Sequence, residues 1–343
     1  MIWSVGFLAK TSLQKNKNDS NVGPLYFASN RGLTLFEVLA AFVVIAIIMG
    51  VSLAFFSQSK KSYQLYAHSA QLSAAVRTAQ SFAISNQSIG IVESQPSRNE
   101  FKIWGWQTVG QWHLENLTAI GAFNQEAKIS GGTLIQGKIG QGIALRRGRI
   151  LLPTPRNVFP SGFSVEFYFL TEFFQNMDLI IHPQGKIGLR LKPDATLEGY
   201  CFDHTVQAKL RPKTWHHFQF FYDGDALVLK VDQILQSQKK ISISLPQISF
   251  VLGSLDLPVT GLIDEIIIRS LTEIQQIEIP QELKLLGKPQ RIYFDFRGRL
   301  SRQHHSAPAV ILLNQPQKQE TIQLNIGLFG DIRQEILPSI KTE

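Results

Sequence analysis

Carboxylates, histidines and one cysteine are the residues of this sequence that could do chemistry, and their spacing decides how much of it is possible. Glycoside hydrolysis needs two carboxyl groups on one face, and alternate residues of a strand can supply them. Glu166 and Glu172 have no Asp between them, and the adjacent Asp264 and Glu265 should point to opposite faces of a strand. Neither arrangement makes an acid–nucleophile pair, so an enzyme is not expected. The pairs His216-His217 and His304-His305 would straddle a strand rather than share an ion. Asp203, Asp223, Asp225 and Asp264 carry the kind of oxygen that calcium takes, so Ca²⁺ is the one cofactor to weigh. Asp223 and Asp225 flank Gly224, however, where short acidic side chains more commonly bond their own backbone and make a turn. Cys201 is alone, which rules out an intrachain disulfide and a multi-cysteine zinc site.

The remaining candidates lie near the amino terminus. Residues 38–56 carry no charge, and Glu37 is the only charge within 33–56. As a helix rising about 1.5 Å per residue, this run crosses a hydrocarbon core of roughly 30 Å. It is too long for the apolar core of a cleaved secretory signal. An unpaired carboxylate costs on the order of 2–3 kcal/mol at the bilayer centre and less near its edge, so Glu37 calls for a partner.

Arg31-Gly32 followed by Leu33-Thr34-Leu35-Phe36-Glu37-Val38-Leu39 resembles the processing site of type IV prepilins and type II secretion pseudopilins. The resemblance implies that a prepilin peptidase cuts between Gly32 and Leu33 on the cytoplasmic side. It implies N-methylation of the new terminus at Leu33, and a role for Glu37 in assembly with other pilin-like subunits on an inner-membrane platform. The chemistry is coherent: cutting creates a cationic amine at Leu33, and a carboxylate four residues on can neutralise an amine at the same depth. Leu33 replaces the Phe or Met commoner in that family, and a 32-residue leader is long for it.

These residues need elements to hold them. After Lys61, apolar positions Leu65, Leu72, Val76, Ala79, Phe82 and Ala83 recur at helical spacing, which predicts one helix over about 33–85 whose second half packs on a folded body. "GIVES", "EFKIWGW", "QRIYFDF", "AVILLNQ" and "TIQLNIGLFGDIR" read as strands separated by turn residues. With Ala79, Ser81, Ala83 and Ile84, then Ile292, Phe294, Gly298, Gly330, Ile332 and Arg333, these pieces resemble minor pseudopilins of the GspH/FimT group.

Between them, alternation in Phe163-Val165-Phe167-Phe169 and Leu227-Leu229-Val231 predicts a β-sandwich. The ordered pieces Gly137–Gly140 with Ala144-Leu145, Phe163–Phe167, Trp215–His217, Tyr222–Gly224 and Ile263–Ile268 resemble laminin G-like, concanavalin A-like jelly rolls. The resemblance implies a glycan or surface ligand, and a rim calcium held by Asp264, Asp223 or Asp225. Trp104, Trp106 and Trp112 are expected together in the core of the host sheet.

The expected fold is therefore α+β: a long membrane-spanning N-terminal helix packed on a pilin-type β-sheet, with an inserted all-β jelly roll. The expected segments are a leader (1–32), the helix (33–86, in the membrane over about 33–56), a split β domain (87–114 and 288–343), the sandwich (115–275) and a linker (276–287). The expected location is the bacterial inner membrane, single-pass, with the C-terminal domains in the periplasm or on an extracytoplasmic fibre. The formal charge is +8, part of it in the leader (Lys10, Lys15, Lys17 and Arg31 against Asp19). Without arginine-rich blocks, that excess gives no nucleic-acid footprint. The expected partners are the peptidase, other pilin-like subunits, the lipid bilayer and a glycan.

Overall fold

The protein is mostly β-sheet with one long N-terminal helix. The computed structural model describes residues 34–116, 126–153, 161–245 and 250–337, with the side chains of 53–62 outside that description. The expected leader, Gly32 and Leu33 lie outside the described residues. The chain forms two compact units, residues 1–60 and 61–343.

Helix α1 (Leu35–Ser85) runs through the first unit and into the second. Its opening stretch, Leu35–Ser52, has a mean hydropathy of 2.6 and none of it is buried. This one N-terminal helix is long and apolar enough to cross a membrane. Within the second unit the helix behaves differently: Leu65, Leu72, Ala75, Val76, Ala79 and Ala83 are buried at the three- and four-residue spacing of a single helical face. Gly90 lets the helix come close, because a Cβ there would stand 2.3 Å from the Ala79 carbonyl oxygen.

The strands follow in order: β1 (Gly90–Gln95), β2 (Glu100–Trp112), β3 (Lys128–Gln136), β4 (Gln141–Leu152), β5 (Phe163–Leu170), β6 (Met177–Ile181), β7 (Ile187–Leu191), β8 (Thr196–Cys201), β9 (His204–Lys209) and β10 (His216–Tyr222). They continue with β11 (Ala226–Val231), β12 (Ile234–Lys240), β13 (Phe250–Leu252), β14 (Val259–Glu278), β15 (Lys284–Leu286), β16 (Gln290–Phe294), β17 (Ala309–Gln315), β18 (Glu320–Ile326) and β19 (Ile332–Leu337). One run of neighbours goes β12-β11-β10-β5-β14-β2-β1-β16, and a second goes β3-β4-β13-β6-β7-β8-β9. The start of β14 also pairs with β4, which joins the two runs. A separate four-stranded sheet is ordered β15-β17-β18-β19.

Two large cores result. The first gathers inward residues of β4–β11, β13 and β14 with Val109 and Trp112 of β2, among them Phe163, Phe167, Phe218, Phe220 and Phe250. Ring centroids lie 5.5 Å apart for Phe163–Phe220 and Phe163–Phe250 and 5.4 Å for Phe167–Phe218. Such pairs contribute about 0.5–1.5 kcal/mol each beyond the area they bury. The second core joins the buried face of α1 to Phe101, Ile103, Ile292 and Phe294 from one sheet and to Ile311, Leu313, Ile322 and Leu324 from the other. Gln80 Nε2 adds a hydrogen bond to the Gly330 carbonyl at 2.7 Å. A small third cluster of Ile91, Trp106, Phe221, Val228, Leu271 and Tyr293 fills the space between β1, β2 and β16 and the outer face of β10 and β11.

Four expectations need correction. Residues 276–287 are not a linker: β14 continues to Glu278, and Leu283 and Leu285 are buried in the second core. The boundary at 275 likewise falls inside β14, whose Ile266–Glu278 stretch pairs with β2 from Trp112 back to Glu100. The three tryptophans do not form one group, since Trp112 belongs to the sandwich core, Trp106 to the third cluster, and Trp104 donates its Nε1–H to Glu93 at 2.8 Å. His304 and His305 sit in a turn after β16 rather than on a strand, where His304 stacks on Tyr293 at 4.0 Å and His305 Nε2 accepts the Tyr293 amide at 2.9 Å.

Candidate functional site

Two places gather polar groups in a way that asks for a function. The first is the start of α1. The Thr34 amide donates to Glu37 Oε2 at 2.9 Å, the Thr34 hydroxyl donates to the same oxygen at 3.2 Å, and the Glu37 amide donates back to Thr34 Oγ1 at 3.3 Å. This is a reciprocal capping box, which satisfies amides that the first helical turn leaves without partners. The Thr-x-x-Glu spacing carries that signal in the sequence, and reading Glu37 only as the partner of a future amine misses it. Both roles are compatible, because the cap uses one carboxylate oxygen. Glu37 stands among exposed apolar residues, with Leu35 82% and Phe36 81% exposed.

The second place is a cleft of about 580 Å³ on the outer face of the sandwich sheet. Alternation along β5, β10 and β11 sends Phe167, Phe218 and Leu229 inward and the neighbouring polar residues outward. Pairing then aligns them: Lys230 lies opposite Gln219, and Gln219 opposite Glu166. Loops of the other half of the chain wall the cleft, including Phe296, Arg299, Arg302 and Phe329.

Glu166 is 8% exposed. Its Oε1 accepts from Gln219 Nε2 at 2.8 Å, from Ser164 Oγ at 3.5 Å and from Arg269 Nη1 in a close ion pair. Its Oε2 lies 4.0 Å from His217 Nε2. Burial pushes the His217 imidazole below its ordinary range, against the pull of Glu166. Lys230 is only 9% exposed. Its ammonium lies 5.4 Å from the centre of the Phe221 ring and has no hydrogen-bond or ion-pair partner among the described residues. Burial lowers its pKa, with Glu166 opposing. Glu166 and His217 fall within motifs of the sequence, but Gln219, Lys230 and Arg269 do not, and no motif joins them. The signal that could have found them is the polar residue in phase within "FSVEFYF", "HHFQFFY" and "LVLKV".

The calcium candidates do not form one set: Asp223 and Asp225 flank a single turn, and Asp264 is tied to another. Asp264 Oδ2 accepts the Ile139 amide at 2.8 Å and Oδ1 the Glu265 amide at 2.9 Å, which fixes the turn between β3 and β4. Asp223 Oδ1 accepts the amides of Asp225 at 3.0 Å and Ala226 at 2.8 Å, and Oδ2 the Tyr293 hydroxyl at 3.3 Å. Oxygens aimed at N–H and O–H donors do not present a cage to a cation. Among the described residues, no group of three or more His, Cys, Asp or Glu is placed to hold a metal. The expected alternation of Asp264 and Glu265 is also broken, because a bulge between Asp264 and Ile267 places Glu265 at φ 51°. Glu265 instead meets His113 at 2.8 Å. The histidines at the start of β10 go separate ways, His216 to Asp232 at 2.9 Å and His217 toward Glu166. Cys201 is buried in the sandwich core, and burial pushes its thiol up to about 12.

No protein-family model matches the sequence, and no curated protein matches it. Among solved structures, the chain is similar to domain 4 of the GH43 extracellular arabinanase AbnA from Geobacillus stearothermophilus, solved with arabinotriose, at 19% identity and a TM-score of 0.40 over 50% of this chain and 95% of that one. It is similar to the binding domain of Paraclostridial Mosquitocidal Protein 1 at 14% identity and a TM-score of 0.38, over 47% of this chain and 48% of that one. It is also similar to Trypanosoma rangeli sialidase at 14% identity and a TM-score of 0.39, over 47% and 30%. The chain thus spans less than half the length of the second and third.

Proposed function

We propose that this protein is a pilin-like structural subunit, a minor pseudopilin of the GspH/FimT type. It is cut between Gly32 and Leu33 by a prepilin peptidase and assembles into a type II secretion or type IV pilus-like fibre. Its sandwich is a lectin-like module displayed on the extracytoplasmic side. The observation that carries this reading is the burial contrast within α1. Residues 35–52 are apolar, carry one carboxylate and are exposed throughout among the described residues, whereas residues 65–83 are packed on a β body. A helix of that kind is suited first to lipid and then to neighbouring helices in a filament. The small residues Ala40, Ala41, Ala46 and Gly50 allow such helices to approach closely.

The capping box sharpens the test. Glutamine fills the capping position as glutamate does, so Glu37→Gln keeps the cap and removes the charge. If the fibre reading is right, the extracted protein has lost residues 1–32 by intact mass, and Glu37→Gln inserts in the membrane but does not enter fibres. A protein that retains Met1 while exported, or fibres that form normally with Glu37→Gln, would defeat it. The rival is a membrane-anchored carbohydrate- or surface-binding protein that forms no filament, for which Glu37→Gln is silent.

A further inference from the structure

The cleft above Glu166 lies on a sheet face that the rest of the chain covers only in part. Lys230 is largely enclosed, yet its ammonium makes no hydrogen bond or ion pair among the described residues and keeps its opening to solvent through the cleft. With only 9% of the residue exposed, part of the hydration of its charge is lost, and transfer of a charge out of water is unfavourable unless something pairs with it. Glu166 attracts it without bonding it, since Arg269, Gln219 and Ser164 claim one carboxylate oxygen and no hydrogen bond joins the two side chains. The Lys230 ammonium therefore faces the cleft as a cation attended by the Phe221 ring and the charge of Glu166 but held by no hydrogen bond among the described residues.

We propose that this cleft is a binding site for an acidic saccharide, whose carboxylate pairs with Lys230 while its ring hydroxyls bond Gln219 and the open oxygen of Glu166. Four observations converge on that class. Lys230, Gln219 and Glu166 form one cross-strand row, in which successive strands lie about 4.8 Å apart, a spacing comparable with the span of substituents across one pyranose ring. The row alternates a cation, an amide that donates and accepts, and a carboxylate, so it suits one negative charge flanked by hydroxyls. The volume of about 580 Å³ falls in the range of small-molecule sites. At the mouth, Phe296 is 52% and Phe329 74% exposed, and aromatic faces of this kind pack on the C–H faces of sugars. Arg302, on an exposed turn, adds a second cation at the rim. A peptide strand is a poorer fit, because strand addition needs an open sheet edge and this site lies on a sheet face.

The proposal deepens the lectin-like part of the reading above and rests on it, but it does not depend on processing at Gly32. The test uses the full chain in detergent micelles, titrated with D-galacturonic acid, N-acetylneuraminic acid, D-galactose and inorganic phosphate, with binding followed by saturation-transfer NMR and calorimetry. At least one sugar acid should bind saturably, at least fivefold more tightly than galactose or phosphate. Lys230→Met should weaken that binding at least fivefold with no drop in melting temperature. Should Lys230→Met fail to fold, Arg302→Ala at the exposed rim takes its place under the same fivefold criterion. Failure of both acids to saturate, equal binding of phosphate, or a change below fivefold in the variant overturns the proposal. Galactose binding that is insensitive to Lys230→Met also overturns it, while leaving a lectin-like module intact.

Discussion

The two ends of α1 share a backbone and obey opposite rules. From Leu35 to Ser52 the helix is apolar on every side and buried nowhere. From Leu65 to Ala83 it is apolar on one face, and that face is fully enclosed. An all-round apolar helix is stable only where its surroundings are apolar, and among the described residues nothing encloses the first stretch. The second derives its cover from β1, β2, β16 and the four-stranded sheet. The folding stability of the protein therefore resides in the unit of residues 61–343, and the first stretch should contribute to partitioning rather than to cooperative unfolding.

Substitutions can test that division in descending order of effect. Glu166→Ala removes the acid from a buried ion pair and leaves Arg269 unanswered, which should cost about 3–5 kcal/mol. Glu166→Gln, which keeps its hydrogen bond with Gln219, should cost less, and urea titration of the body's fluorescence measures both. Leu72→Ala empties a fully buried site on the packed face and should cost about 2–5 kcal/mol in the same assay. Equal insensitivity of Leu72→Ala and of a change in the 35–52 stretch would break the comparison.

A pH effect comes next. Burial lowers the pKa of His304, stacked on Tyr293, to about 4, while the unfolded chain takes up a proton near 6.5. Between these values the unfolded state binds more protons, so this histidine's contribution is whole above about pH 6.5 and is lost as pH falls toward about 4. Thermal melts across that window should show the loss, and His304→Gln should flatten it. Thr34→Ala should cost about 1 kcal/mol of cap stability and show as faster amide exchange in the first turn of α1, with the midpoint of the body unchanged. Smallest of all, Val44→Ala should leave the urea midpoint of the body within about 0.5 kcal/mol.

What the sequence disclosed follows the same physics. Phe163, Val165, Phe167 and Phe169 alternate without interruption because one face is all core, and period two is a strong signal in that case. The helical spacing of Leu72, Val76, Ala79 and Ala83 is legible for a similar reason. The far part of β14, "TEIQQIE", reads poorly as strand. A register shift between Glu273 and Gln275 breaks its alternation where it pairs with β2, and the segment looks like a linker until its partner is known. The cleft was illegible for another reason. Lys230, Gln219 and Glu166 are separated by as many as 64 positions, and only the register of three strands puts them in a row. Their burial depends on loops around Phe296 and Phe329 that come from a distant part of the chain.

The ribbon of β2 and β14 has a mechanical meaning. Two strands pass together, paired from Trp112–Ile266 to Glu100–Glu278, out of one core and into the other. Strand backbone already rises about 3.4 Å per residue, close to the limit of a fully drawn chain, so a tug on the sandwich finds almost no slack to take up. The pair yields by bending or twisting rather than by stretching, most readily at the irregularities beside Ile268 and Glu273. A body joined in this way should pass tension along and flex under it, as a stiff leaf spring does.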